Sequence, residues 1–496
     1  MYKGTLVAII YVLLLAGCRQ QQKVKITARK DIYKELIDAV NTGDSNKIKS
    51  QIIKCWSNNL IGKNDQWLHT DLNYWLAVHR EFGPLSFVNY GFDTYNENEI
   101  AWYKGDITKD WIGFEFDFNE KNKITRTNVL RSCSPTNSKS LLDIDSLKIQ
   151  SKQLTAYFEK LIDHDLFSGM ALVAKGDSIL FEYYGGYENK KQGKPITPNS
   201  SMVIASTTKM FTAVAIAQLL EDDKINIETP IAKYLPQTPE QISKKVTVAN
   251  LLSHSSGIEL DDLDGFMKEI ARDTSVNDFY QTNLKYLSKI SNFESFEPNG
   301  EFDYSNENFD FLGKLIEVAS GKSYFQYLED HIFSPLAMDK TGPIDLSQNQ
   351  SNLAVPYQIN RSGNGEFDNK LRDSMPYSPL RMSRPAGSFK SNVQDLYKFM
   401  YGLNHDKLIA DSIKQEFTSK KIPNLTIPIY KSWYGYGFYV NERNGNLNYG
   451  HAGGIPGVSS RCEYYPKQDI YIITISNYNG SANMVANHLS TLVDFF

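Results

Sequence analysis

No excess of basic charge is present in this sequence: 53 Lys and Arg stand against 57 Asp and Glu, a formal net charge of -4. A nucleic-acid-binding surface usually leaves a basic footprint, so DNA and RNA partners are disfavoured. Cysteine is also scarce. Of the four, Cys55, Cys133 and Cys462 lack the paired spacing that zinc ligands show, so a metal site is not expected. Absent too is any long segment of low hydrophobicity and one-signed charge, the mark of disorder. What remains is globular, with 41% apolar and 22% charged residues, and long enough for two or three domains of roughly 100–200 residues each.

The apolar run Thr5 to Leu15 follows Lys3 and is too short to span a bilayer comfortably. It reads as a secretory signal over residues 1–17. It ends in Leu14-Leu15-Ala16-Gly17-Cys18, which resembles the bacterial lipobox; the resemblance implies a lipid on the thiol of Cys18 and a lipid bilayer as partner. Residues 18–30, polar and without periodicity, suit a tether. In an oxidising compartment Cys55 and Cys133 can pair or stay free, and sequence does not choose.

Two amphipathic stretches follow, one through Ile32, Leu36, Ile37 and Val40, the other through Ile48, Ile52 and Ile53, divided at Gly43-Asp44. Strands are expected at Leu85–Val88, Ile100–Tyr103, Trp111–Phe118 and Ile124–Leu130. Residues 31–134 thus form a small α+β domain whose order of elements resembles cystatin-like or nuclear-transport-factor-like cones. A spacer or dimerisation role suits it better than ligand binding, because it holds no catalytic constellation. A linker follows over 135–150. Residues 151–496 open with a helical stretch at Leu154, Phe158 and Leu161 and a hairpin of Met170–Ala174 with Ser178–Tyr183. They close with a hairpin of Arg461–Tyr465 with Ile470–Ile475 and a helix from Val485 to Val493. Strands at both ends around a helix-rich middle predict one antiparallel sheet flanked by helices, with an inserted helical subdomain and a cleft at the seam.

Chemistry concentrates in this second part. Ser206-Thr207-Thr208-Lys209 precedes an apolar helix-forming run, Met210 to Leu220. Three-residue spacing on a first helical turn brings a hydroxyl and an amine together, and a desolvated lysine can be neutral enough to take the proton of a serine nucleophile. Tyr304-Ser305-Asn306 lies in a loop feeding a helix; its phenol can act as a base or proton relay, and its amide can meet Lys209 and a substrate. Gly450-His451-Ala452-Gly453-Gly454 brings backbone close to a ligand. The N–H of Gly454 with that of Ser206 makes a two-donor oxyanion hole, and His451 can donate to a substrate carboxylate, although a lone histidine is more often structural.

S-x-x-K, Y-S-N and H-A-G in this order resemble the serine β-lactamase and penicillin-binding-protein superfamily, on its class C branch. Leu251–Ile258 and Pro385–Ser391 with Asp395-Leu396 match further segments of that pattern. The resemblance covers about residues 150–496 and implies a β-lactamase/transpeptidase-like α/β (α+β) fold. It casts Ser206 as acylated nucleophile, Lys209 and Tyr304 as proton-transfer pair, and Asn306, His451, Gly453 and Gly454 as substrate contacts, with no cofactor. His451 stands where β-lactamases usually carry lysine, which favours a D-amino-acid peptidase or esterase over an antibiotic-destroying enzyme. The alternatives are a β-lactamase and a non-catalytic sensor. Substrates of this class are small peptides, esters or β-lactams.

Overall fold

The computed structural model describes residues 30–57, 65–92, 99–108, 110–131, 144–270, 272–273, 275–287, 297–298, 300–344, 352–361, 367–373, 383–427, 430–443 and 445–493. The signal segment, Cys18, the tether up to residue 29 and Cys133 lie outside these. Among the described residues no helix is long and apolar enough to cross a membrane. The chain divides into two compact units, Met1–Ser138 with Asn360–Asn369, and Lys139–Ile359 with Lys370–Phe496.

In the first unit, α1 (30–41) and α2 (Ser45–Cys55) are the two expected helices. Asp44 separates them as an N-cap, its carboxylate accepting from the N–H groups of Asn46 and Lys47. A third helix, α3 (Asp65–Phe82), was not expected. Its Leu68, Leu72, Trp75, Val78 and Phe82 recur at helical spacing and are buried. The strands β1 (Leu85–Phe92), β2 (Glu99–Gly105), β3 (Trp111–Phe118) and β4 (Ile124–Arg131) pair consecutively as an antiparallel meander. Leu36, Val40, Ile48, Ile52, Trp75, Ile112 and Phe114 belong to the core between helices and sheet. Cys55 is a buried free thiol.

The second unit is built on an eight-stranded antiparallel sheet. It begins with α4 (Ile144–Asp163), which starts inside the stretch read as a linker, then β5 (Gly169–Lys175) and β6 (Ser178–Gly185). It returns through β7 (Ile422–Ile427), β8 (Tyr430–Tyr434), β9 (Tyr439–Arg443), β10 (Asn446–Ile455), β11 (Val458–Tyr465) and β12 (Ile470–Ser476). The spatial order is β7-β8-β9-β10-β11-β12-β5-β6, so strands from the two ends of the unit meet where Ile470 pairs with Lys175 and Ser476 with Gly169. β12 is buried along its whole length, which is why Ile470 to Ile473 run apolar without alternation and its Thr474 and Ser476 are buried too. β7, β8 and β9 were not anticipated; they extend the sheet beyond the H-A-G strand β10.

Between β6 and β7 lie the helices that carry chemistry. α5 (Lys209–Glu221) is buried on nearly every side, from Lys209 through Ala217, as expected of a helix without a polar stripe. α9 (Asn306–Ser320) packs on it, α6 (Val248–Leu252) and α8 (Val276–Leu287) pack on α9, α7 (Leu263–Ile270) on α8, and α10 (Val393–Asn404) on β12 and β5. A closing helix, α11 (Ser481–Val493), packs on β11 and β12.

Candidate active site

Ser206 sits in a 3₁₀ turn, Ala205–Thr208, that runs directly into α5. Ala205 is in the left-handed region at φ +46°, which L-residues other than glycine adopt only when surrounding structure holds them. Here the Ala205 carbonyl is gripped twice, accepting from the Ser388 N–H at 3.1 Å and the Thr208 hydroxyl at 2.8 Å. The turn leaves Ser206 partly accessible while Thr207 and Thr208 are buried. The Ser206 N–H meets no acceptor among the described residues.

Lys209 is fully buried, and its Nζ lies 3.3 Å from Ser206 Oγ, 2.7 Å from Asn306 Oδ1 and 2.5 Å from the Ala386 carbonyl. Burial, and then the nearby Arg384 cation, push its pKa down from 10.5 to about 7. Nζ also stands 4.9 Å above the centre of the Tyr304 ring. The Tyr304 hydroxyl hydrogen-bonds Ser206, and burial raises its pKa, so it is a neutral phenol. Asn306 is the first residue of α9 and reaches Lys209 with its amide oxygen.

The H-A-G strand behaves differently from expectation at His451. This ring is 2% exposed; Nδ1 lies 2.6 Å from the Ala452 carbonyl and Nε2 lies 2.9 Å from the Tyr434 hydroxyl. Nδ1–H therefore donates to the carbonyl and Nε2 accepts from the phenol, a neutral ring with both nitrogens occupied. Burial, then Lys209, hold its pKa down to about 3. The expected donation from His451 to a substrate carboxylate is thus replaced by an internal bond on each nitrogen. Gly453 also serves packing: a Cβ there would stand 2.1 Å from the Ile204 carbonyl oxygen and 3.0 Å from Ser206 N, so only glycine lets β10 lie this close to the Ser206 turn. Gly454 is exposed, with open space where a Cβ would be. Beside His451 is a cavity of about 190 Å³ whose walls include Asn424, Ser432, Asn441 and the Arg461–Glu463 ion pair.

Several participants were missed. The Ala386 carbonyl completes the surroundings of Lys209, yet a backbone acceptor leaves no mark in a sequence beyond the Pro385–Ser391 segment that contains it. His254, from the Leu251–Ile258 segment, is fully buried; its Nδ1 accepts from the Ser305 N–H at 3.2 Å, and its ring centre lies 4.2 Å from that of Tyr304. Asp310 and Arg384 form a buried pair behind Lys209.

The Ser206 turn leading into a buried helix, its lysine, a Y-S-N helix start and a glycine strand, all beside an antiparallel sheet, are the arrangement of a serine hydrolase on a penicillin-binding-protein-like scaffold. The chain belongs to the beta-lactamase family, whose model matches residues 154–493. A penicillin-binding protein of Bacillus subtilis (strain 168) is 29% identical over 336 residues, 66% of this chain and 71% of that one. A teichoic acid D-alanine hydrolase of Staphylococcus aureus (strain NCTC 8325 / PS 47) is 25% identical over 370 residues, 71% and 83% of the two chains. Among solved structures, the D-amino acid amidase of Ochrobactrum anthropi SV3 shares the fold with a TM-score of 0.56 at 22% identity, over 70% of this chain and 99% of that one.

Proposed function

We propose that this hydrolase cleaves a D-amino-acyl ester or amide through an acyl-enzyme on Ser206, with Lys209 as general base. The observation that carries this reading is the set of three partners around Lys209 Nζ. Two of them, Asn306 Oδ1 and the Ala386 carbonyl, can only accept. A neutral amine has two N–H groups to give them, which turns its lone pair to the remaining partner, the Ser206 hydroxyl. A pKa of about 7 makes that neutral form available near neutral pH.

The Ser206 oxygen then attacks the substrate carbonyl carbon as its proton passes to Lys209. The carbonyl electron pair moves to oxygen, and the N–H groups of Ser206 and Gly454 receive the anion. Collapse expels the alcohol or amine, which takes its proton from Tyr304, and the phenol is reprotonated from Lys209. Water then attacks the ester on Ser206 by the same route, releasing the D-amino acid. No cofactor enters.

The D-amino-acyl preference is supported by the D-alanine hydrolase activity of the staphylococcal relative and by His451 at a position where β-lactamases usually carry lysine. The neutral, fully bonded His451 offers no cation to a β-lactam carboxylate. The lipobox-like Leu14–Cys18 supports attachment at the cell envelope through a lipid on Cys18, and labelling with a radioactive fatty acid, lost in Cys18→Ala, tests it.

Intact-protein mass after exposure to a fluorophosphonate and, separately, a penicillin tests the reaction, comparing the chain from Arg19 with Ser206→Ala. A single fluorophosphonate adduct absent from Ser206→Ala, with turnover of a D-alanyl ester, is the expected result. A folded protein that takes neither reagent overturns the hydrolase mechanism. A stoichiometric penicillin adduct without ester or amide turnover transfers the reading to a sensor.

A further inference from the structure

The two carbonyls that bracket Lys209 come from separate elements. Asn306 opens α9, whereas Ala386 lies in a loop closed by paired Arg384 and Gly387 hydrogen bonds of 2.9 Å each. What holds these elements in register is a group the reaction does not use. Asp310, four residues after Asn306 and so on the same face of α9, is completely buried. Arg384 grips it with Nε on Oδ1 at 2.9 Å and Nη2 on Oδ2, a two-pronged contact. Asn283 of α8 adds a bond to Oδ2 at 3.3 Å, and the Arg384 guanidinium lies 5.4 Å from the centre of the Phe279 ring. The loop also presses into α9: at Gly313 a Cβ would stand 2.1 Å from Pro385 Cγ.

We infer that Asp310 and Arg384 are positioning residues for the general base: their buried ion pair ties the helix carrying Asn306 to the loop carrying Ala386, and so fixes both carbonyl partners of Lys209 together with the charge balance around it. Removing a carboxylate and a guanidinium from water is costly, and two apolar side chains of similar volume would often be as stable. A pair placed here is set to act on what it faces, the Lys209 amine. The inference rests on the reading of Lys209 as base.

Charge around Lys209 comes from Arg384 in the loop and from Asp310 and Glu307 on α9. His254 after α6, His451 on β10 and the Tyr304 phenol also face it, and burial keeps all three neutral. Arg384 disfavours the ammonium form and Asp310 favours it. Asp310→Asn leaves an unopposed cation and lowers the pKa of Lys209; Arg384→Gln removes the cation and raises it.

The experiment measures the second-order rate of fluorophosphonate labelling of Ser206 against pH, in the full chain and in Asp310→Asn, Arg384→Gln and the double variant. The rising limb is expected to move to lower pH in Asp310→Asn and to higher pH in Arg384→Gln, each by on the order of one pH unit. The double variant should return toward the wild-type limb. A merely structural pair would reduce the labelling rate at every pH without moving the limb; limbs that stay in place, or move together, overturn the inference. If Asp310→Asn fails to unfold cooperatively, Arg384→Gln and the double variant decide: adding Asp310→Asn to Arg384→Gln must bring the limb down. Absence of Ser206 labelling in the wild type would count against the base itself, a separate outcome.

Discussion

Ser460 Oγ lies 2.7 Å from Thr207 Oγ1 although 253 residues separate them. The same Ser460 hydroxyl donates to the Ile204 carbonyl at 2.6 Å, which leaves Thr207 as the donor to Ser460. One buried hydroxyl on β11 thereby clasps the nucleophile turn on both sides of Ser206, while its ladder partner Gly453 makes the approach sterically feasible.

Ser460→Ala removes both bonds and strands the buried Thr207 hydroxyl. The expected loss of stability is about 1–3 kcal/mol, read from urea unfolding, with a slower Ser206 labelling rate at an unchanged pH optimum.

Gly453→Ala acts on the same contact by overlap. With a Cβ 2.1 Å from the Ile204 oxygen, the turn must shift. Labelling of Ser206 should fall at least about 100-fold, since small misplacements of reacting groups have costs of that order.

Lys209 sets two pH dependences. With Lys209 as the proposed base, acylation needs its neutral form, so the rate should rise through about pH 7 and then level. For stability the sign follows from proton counts. Between about 7 and 10.5 the unfolded chain holds one more proton at this residue than the folded chain, so its contribution to stability grows with pH there. Urea unfolding of wild type and Lys209→Met at several pH values should show a difference that changes in favour of wild type by about 1.4 kcal/mol per pH unit across that window. Parallel curves would mean that Lys209 is not held neutral.

Tyr304→Phe keeps the ring that packs beside His254 but loses the hydroxyl on Ser206. Turnover of substrates with poor leaving groups should drop about 10²–10⁴-fold, while activated aryl esters, which need no proton on departure, lose much less. An equal loss for both would take the relay role from Tyr304.

Ser206 and Lys209 were legible because their relation is local, one turn of helix, and Asn306 because a loop feeding a helix announces itself by composition. Strand β12 could be read from a run of Ile and Thr. In contrast, β7 to β9 carry Tyr, Asn, Lys and Pro in short segments whose strand character comes from pairing with neighbours, and α3 has a usable periodicity that was overlooked. The ring of His451 looked like a donor, and only its contact with Tyr434, contributed by one of the unread strands, shows where its nitrogens go. The Asp310–Arg384 and Thr207–Ser460 contacts join residues 74 and 253 positions apart, and no local pattern encodes such a meeting.

The seam between β5 and β12 also sets an order of events in synthesis. The ribosome delivers Ser206 and its base long before Gly453, Ser460 or the strand that zips onto β5, and each of these supports the nucleophile turn or the sheet beside it. While the chain is being made, and for as long as it is kept unfolded, Ser206 is an ordinary alcohol on a peptide. Reactivity at Ser206 therefore waits on strands that are made near the end of the chain, when β12 docks on β5.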